Sequence, residues 1–431
     1  MKIIVVGAGI IGMTSAYTLA KRGHEVTVLD SQPTPGTVTS LANGAQLSYS
    51  FVSPLADKGV LQKLPGWLLS ADSPLRFRPR LEPAQWRWLW SFMGLCNQSA
   101  AQRTTRELLQ LGVLSRRLMH EMVQDQDFSF DFSPSGKLLV YQDLEAYRAA
   151  QALVTFQASL GCEQHAYTPE QCVDFEPALA DISSRIVGGI FTPTEDAADC
   201  HALCMELRRY LSRSAGVTFQ FDTRVNRVVV ERGRAIAVET SVGPLRADGF
   251  VIANGVDAQS LCGSVGIDPL IYPLKGYSLT YELTPHSRAP HTSLSDVHNK
   301  VVYARLGNRL RVAGMVDIGD RSPTVDRRRI ASLKAQVEDY LPRLNAAKAP
   351  TEWAGLRPAR PDSKPIIGAT PYERLWLNVG HGALGFTLAA ASAAVLTDRI
   401  EGRPSAISDR LFSLADSARS PHARVSSLQP H

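Results

Sequence analysis

Lys2-Ile3-Ile4-Val5-Val6-Gly7-Ala8-Gly9-Ile10-Ile11-Gly12 is the stretch on which this 431-residue chain turns. Its first five residues read as a strand, Met13 to Arg22 as a helix, and His24 to Leu29 as a second strand ending on Asp30. Strand, glycine turn, helix, strand and acid, in that order, are what a dinucleotide requires. Gly7 permits the tight turn, Gly9 lets the backbone approach a pyrophosphate, and Gly12 lets helix and strand pack closely. Ala8, Ile10 and Ile11 complete the turn, whose N–H groups and positive dipole end face the anion. Asp30, with Ser31 beside it, can take both ribose hydroxyls, and its charge repels a 2′-phosphate. The ligand is therefore FAD or NAD rather than NADP.

Length and composition bound the rest. A chain this long holds more than one core. Apolar residues at 44% and charged residues at 20% describe a globular enzyme, not a disordered or fibrous chain. The fingerprint begins at Gly7, so no signal peptide is expected, and no apolar run reaches the roughly 18 residues of a membrane span. Six cysteines make no disulfide framework at this length, which points to a reducing cytoplasm. Cys200, His201 and Cys204 fall within a helical run and read as core side chains, so no metal is expected. A net charge of +5, scattered and without a basic aromatic stripe, argues against nucleic acid.

Beyond Asp30, the loop from Ser31 to Ser40 leads into Leu41-Ala42-Asn43-Gly44-Ala45-Gln46. Ser40, Asn43, Gly44, Ala45 and Gln46 suit a segment crossing the far end of a dinucleotide. Trp67-Leu68-Leu69 and Gln85 to Met93 are rich in tryptophan. On a helix, Trp86, Leu89, Trp90 and Met93 share one face, with Trp88, Phe92 and Leu95 opposite. Such a helix is either buried or in contact with lipid, and Arg76, Arg78 and Arg80 upstream could meet anionic headgroups.

Helices are expected at Arg103 to Gln124, Leu144 to Leu160 and Cys200 to Ser214. Strands are expected at Gly136 to Tyr141 and Ile186 to Thr192. Val225 to Glu231, Ala235 to Thr240 and Leu245 to Ile252 read as a meander that ends in Ala253-Asn254-Gly255, where the backbone can approach the ligand. Ile271 to Leu283, Lys300 to Arg305 and Arg309 to Gly314 form a β-rich block followed by a helix, Asp326 to Leu341. A second strand, glycine loop and helix then closes the chain. Leu375 to Val379 runs into Gly380-His381-Gly382-Ala383-Leu384-Gly385-Phe386-Thr387, and Leu388 to Ile400 follows.

Two glycine-rich helix entries need two electron-rich groups. The first takes a pyrophosphate; the second, through Gly382, Ala383, Gly385, Phe386 and Thr387, suits the pyrimidine edge of a flavin. FAD explains both ends of the chain and NAD only one. The expected architecture is α/β: a Rossmann-type FAD-binding domain with a discontinuous antiparallel-β (α+β) substrate domain. Residues 1–85, 195–268 and 355–412 would form the first, 86–194 and 269–354 the second, and 413–431 a flexible tail.

Five stretches carry a resemblance: Val5 to Gly12, Ser40 to Gln46, Tyr272-Pro273-Leu274-Lys275-Gly276-Tyr277-Ser278-Leu279-Thr280, Gly355-Leu356-Arg357-Pro358 and Leu377-Asn378-Val379-Gly380-His381-Gly382. On these the chain resembles the FAD-dependent D-amino-acid dehydrogenase small-subunit family, within the D-amino-acid oxidase, glycine oxidase and sarcosine oxidase group. The resemblance runs from the N-terminus to about residue 410. Arg360 stands where Thr is expected. Ala383 and Phe386 replace Thr and Trp, and Ala391-Ser392-Ala393 replaces Gly-Ser-Gly, so the side chain of the substrate stays open.

The resemblance implies oxidation of a D-amino acid to its imino acid, which water converts to a 2-oxo acid and ammonia. Electrons would leave non-covalently bound FAD for a quinone or other carrier. Arg357 is the expected carboxylate ligand, because its planar fork matches a carboxylate at two points. Tyr277 would bond the carboxylate or gate the pocket, and Tyr49 and His381 are further catalytic candidates. The expected location is cytoplasmic, with peripheral contact on the cytoplasmic face of the inner membrane. The alternatives are an amine or imino-acid oxidase or dehydrogenase of the same fold (glycine, sarcosine, D-hydroxyproline), an NAD-linked dehydrogenase, and a flavin-bearing electron-transfer subunit.

Overall fold

Lys2–Val6 pairs in parallel with Glu25–Leu29 on one side and with Gly249–Ile252 on the other. Val217–Gln220 extends this sheet beyond Glu25–Leu29; Leu375–Val379 and then the antiparallel Ile366–Ala369 extend it past Gly249–Ile252. Two of these six strands come from each end of the chain and two from its middle, so the domain is closed by its second glycine loop. The computed structural model describes residues 1–52, 54–56, 73–213 and 216–415. Trp67-Leu68-Leu69 and the tail from residue 416 lie outside them.

Helix Ile10–Lys21 packs along helix Gly385–Glu401, and helix Gln98–Asp125 crosses the latter from outside. The run Ala389-Ala390-Ala391-Ser392-Ala393 is fully buried, its small side chains allowing Thr14 Oγ1 to come within 3.3 Å of the Ala389 carbonyl. The stretch Gly382–Glu401 is long and apolar enough to cross a membrane, which a count of unbroken apolar residues overlooks. Its partners here are helices of the same core. On the sheet's other side lies the antiparallel trio Val225–Glu231, Arg234–Thr240 and Gly243–Arg246. The expected strand Leu245 to Ile252 is thus two strands in two sheets. The chain turns at Asp248, whose carboxylate accepts from Lys2 N at 2.8 Å.

The second sheet has nine strands. From one edge they are Thr351–Ala359, Tyr272–Glu282, Arg309–Ile318, Val301–Leu306, Ser293–Asp296, Lys137–Tyr141, Gly188–Thr192 and His165–Tyr167, with Leu75–Phe77 also pairing Arg309–Ile318. Neighbours are antiparallel except at Ser293–Asp296 with Lys137–Tyr141 and at Leu75–Phe77. Alternation gives the sheet two distinct faces. Leu138, Val140, Leu279, Leu294, Tyr303, Leu310 and Val312 face the helix Arg327–Tyr340 and form the substrate-domain core. Ser278, Ala313, Val302, Ser295 and Leu139 are cross-strand partners on the opposite face, which meets the nucleotide domain.

Sheet membership divides the chain differently from the expected boundaries. Leu75–Phe77 and the whole of Thr351–Ala359 belong to the second sheet, while helix Gln98–Asp125 buries Leu108, Leu109, Leu111 and Met119 in the nucleotide-domain core. Helix Pro83–Leu95 buries Trp88, Phe92 and Leu95 against Tyr272 and Leu274 and leaves Trp86 and Trp90 38% and 62% exposed. The arginines before it are turned to carboxylates of their own chain. Arg76 binds Asp317 and Asp326, Arg78 lies 3.7 Å from Asp320, and Arg80 lies 3.7 Å from Glu82 while bonding the Gly319 carbonyl.

Candidate active site

The nucleotide end is built by backbone. Gly7 has φ +107°, and a Cβ on it would stand 2.7 Å from both the Ala253 carbonyl oxygen and Asn254 Cα. Only glycine lets Ala253-Asn254-Gly255 close against the first turn. Asp30 caps that turn, accepting from Ala8 N at 2.6 Å and Gln32 N at 2.8 Å, and burial raises its pKa. Ile10 N, at the start of the first helix, donates to Ser40 Oγ at 3.1 Å. Among the described residues, Asn254 Oδ1 is buried without a hydrogen-bond partner. A narrow glycine cradle, an acid at the ribose position and an orphaned amide oxygen fit a dinucleotide.

From Ser40 the chain crosses the second sheet almost strand by strand. Ser278 Oγ donates to the Ala42 carbonyl at 2.7 Å, and Arg311 Nη1 to that of Asn43 at 3.1 Å. Gly44 lies over Val302 and Ala313. Ala45 takes φ +55°, its N–H bonded to Asn43 Oδ1 at 3.0 Å. Gln46 Nε2 donates to the carbonyls of Leu294 at 3.0 Å and Tyr303 at 3.2 Å. Ser48 N then reaches Thr387 Oγ1 at 3.0 Å. This last bond joins the crossing segment to the second glycine loop, Gly382–Leu384, where helix Gly385–Glu401 begins with Phe386 and Thr387 buried.

Arg357 stands on the same sheet face. Leu274 is its cross-strand partner, and its half-buried guanidinium bends over the next position along that strand, Gly276. A Cβ on Gly276 would lie under 3.0 Å from Nη1, Nη2 and Cζ. Nη1 donates to the Met315 carbonyl at 3.2 Å, at a bulge where Met315 takes φ +61°. Burial lowers the Arg357 pKa to about 10, partly opposed by Asp317, so the group stays cationic at neutral pH. Among the described residues no carboxylate pairs with it directly, and its fork is open to one from a substrate.

The FAD dependent oxidoreductase family model matches residues 2–399. The chain belongs to that family. It is 47% identical over 424 residues to a D-amino acid dehydrogenase 2 of Ralstonia nicotianae, covering 96% of this chain and 100% of the relative. A D-amino acid dehydrogenase 2 of Pseudomonas aeruginosa is 42% identical, over 94% and 96% of the two chains. Among solved structures, glycine oxidase from Geobacillus kaustophilus superposes with a TM-score of 0.76 at 22% identity, over 96% and 97% of the two chains. L-proline dehydrogenase from P. horikoshii gives 0.74 at 18%, over 97% and 98%.

The FAD-dependent family assignment agrees with the cradle. None of the other three candidates for catalysis is hydrogen-bonded to Arg357 among the described residues, although His381 bridges Ala359 on the same strand. Tyr277 points to the opposite sheet face, where its hydroxyl donates to Asp317 Oδ2 at 2.8 Å and burial, then that bond, raises its pKa. Arg76 and Arg329 hold the same carboxylate. A gate or carboxylate ligand at Tyr277 is therefore not what the geometry offers. Tyr49 is buried against helix Gln98–Asp125, and burial beside Asp196 and Glu195 raises its pKa well above the usual value. His381 lies inside the nucleotide domain with Nε2 3.0 Å from Ser392 Oγ, and burial lowers its pKa to about 3. It is a neutral ring that fixes the glycine loop.

The roles of four contributors escaped the sequence. Gly276 makes room for the guanidinium, yet within Lys275-Gly276-Tyr277 the tyrosine drew attention. Ser278 and Arg311 hold the crossing segment, and nothing local marks them as more than strand residues. Arg360 extends behind the glycine loop, bonding the carbonyls of Pro269 and Lys364 and pairing with Asp362 at 3.1 Å.

Proposed function

We propose that this chain oxidises D-amino acids to imino acids, which water converts to 2-oxo acids and ammonia. The observation that carries it is the Arg357 fork, held over Gly276 on the sheet face that the Ser40–Gln46 segment crosses. FAD, when bound, would supply the oxidising chemistry, taking up the two electrons of the Cα–H bond. Gly7, Asp30, Ser40 and Asn254 would hold its nucleotide half, and the loop from Gly382 to Thr387 its ring system. Arg357 binds the substrate carboxylate at two points and so orients Cα. The D configuration follows the names of the relatives.

Electrons pass onward to a quinone or similar carrier, with the enzyme resting peripherally on the cytoplasmic face of a membrane. The relatives' dehydrogenase names support the first point. The second is supported by a small apolar surface, fully exposed Leu81 with Trp86 and Trp90. The ion pairs of Arg76, Arg78 and Arg80 make the tryptophans its principal element.

Anaerobic bleaching of the bound flavin by a panel of D-amino acids, glycine, sarcosine and D-hydroxyproline tests the reaction. D-Amino acids should bleach it; bleaching by glycine or sarcosine alone would reassign the enzyme to the amine oxidases of this fold. Arg357→Lys should raise KM by about 1.5–3 kcal/mol, the value of a charged hydrogen bond, while FAD stays bound. Flotation with anionic liposomes tests the membrane contact, and Trp90→Ser should reduce it.

A further inference from the structure

Behind the end of the crossing segment lie two buried charges that the reaction above does not use. Lys137, 4% exposed, opens the strand Lys137–Tyr141, and Glu195, 0% exposed, follows the strand Gly188–Thr192. Lys137 Nζ donates to Ser48 Oγ at 2.9 Å and stands 4.7 Å from the centre of the Phe51 ring. Glu195 Oε1 accepts from Ser50 N at 2.7 Å, and among the described residues Oε2 has no hydrogen-bond partner. Ser48 is also the residue whose N–H reaches Thr387 Oγ1. Two hydrogen bonds therefore connect Lys137 to the first turn of the helix that follows the glycine loop. A lysine here is costly, since burial disfavours its charge, and an apolar side chain would fill the same space.

We propose that Lys137, balanced by Glu195, is a positioning residue that sets the electron affinity of bound FAD through Ser48 and Thr387. While Lys137 is protonated the pair is neutral. Once it loses its proton, Glu195 remains as a lone negative charge beside the loop that would hold the flavin ring, and addition of electrons to the ring becomes harder. Burial lowers the Lys137 pKa to about 8, with Glu195 opposing, so this change falls in the working range of an enzyme. Burial likewise raises Glu195, and Lys137 lowers it. Among the described residues, the other titratable groups around Glu195 are Tyr49, Asp196 with His120 at 2.8 Å, Arg116 and Cys162. By linkage, reduction of the flavin must hold the proton on Lys137 more tightly.

The test is redox titration of the holoenzyme against a reference dye between about pH 7 and about pH 9, spanning the Lys137 transition. In the natural protein the ratio of reduced to oxidised flavin should fall roughly tenfold more across this range than in Lys137→Met, about 30 mV for a two-electron couple. Lys137→Arg keeps its charge throughout and should also lack the extra fall, while retaining the higher potential. The same pH dependence in Lys137→Met as in the natural protein would overturn the proposal. Should Lys137→Met fail to retain FAD, Lys137→Arg decides alone: an extra fall near pH 8 that survives in it refutes the role of Lys137.

Discussion

Gly276→Ala isolates the support of Arg357 from Arg357 itself. Gly276 sits mid-strand, paired with Gly355, and has no left-handed φ, so alanine suits its backbone. The added methyl would instead meet the guanidinium at under 3.0 Å from three atoms. Ordinary contact needs about 3.5 Å, so the fork must move by a little more than about 1 Å. The strand and its ladder stay; the Met315 bond and the two-point alignment with a carboxylate are what give way. Losing that alignment weakens binding by about 1.5–3 kcal/mol, a rise in KM of roughly 10- to 150-fold. A misplacement of about 1 Å also erodes kcat.

Steady-state kinetics with a D-amino acid and an artificial acceptor would read both constants, with the flavin spectrum confirming cofactor content. The deciding control is a double-mutant cycle. In an Arg357→Ala background the methyl has no fork to displace, so Gly276→Ala should then cost little. An unchanged KM in the single variant, or an equal loss in both backgrounds, would show that Gly276 does not act through Arg357.

Gly7→Ala should abolish FAD binding, because the new Cβ meets backbone at 2.7 Å and nothing there can swing aside; spectroscopically normal holoprotein would contradict this. Tyr277→Phe should leave KM within about twofold and lower stability by roughly 1–3 kcal/mol, the cost of a lost bond to a buried carboxylate. A tenfold rise in KM, measured beside thermal melts, would return Tyr277 to the substrate. His381 has a pKa of about 3 in the folded chain, against an ordinary value near 6.5, so the unfolded chain takes up the proton first. Its contribution is complete above pH 6.5 and is lost as pH falls toward 3. Relative to His381→Gln, the natural protein should lose on the order of 4 kcal/mol over that interval, and parallel acid denaturation curves would refute it.

The nucleotide half was legible because its determinants are local. Gly7, Asp30 and the strand ends between them lie within one βαβ unit, whose spacing reflects a single geometry. The second glycine loop was legible for the same reason, and its pairing with the first followed from the cofactor having two ends. The substrate side was not. Tyr277 and Arg357 sit on adjacent strands in conspicuous motifs, yet the pleat sends them to opposite faces, and a register cannot be counted across the 80 residues between them. The split at Asp248 was hidden because two short strands with one polar interruption have the composition of one long strand. The roles of Ser278 and Arg311 depend on which loop lies above them, a tertiary fact.

The two faces of the second sheet also explain how Arg357 can stay charged and unoccupied. A partly buried arginine ordinarily acquires a carboxylate, and a direct ion pair would fill the fork that a substrate needs. Here the opposing charge is Asp317, on a strand two places away and directed to the other face. Arg76, Arg329 and Tyr277 fix it there. Its field favours the guanidinium charge, while the sheet prevents the carboxylate from reaching it. The Met315 carbonyl, exposed by the bulge in the same strand as Asp317, takes one N–H and sets the direction of the rest. The cluster around Tyr277 therefore serves the site from behind, by keeping a cation available without neutralising it.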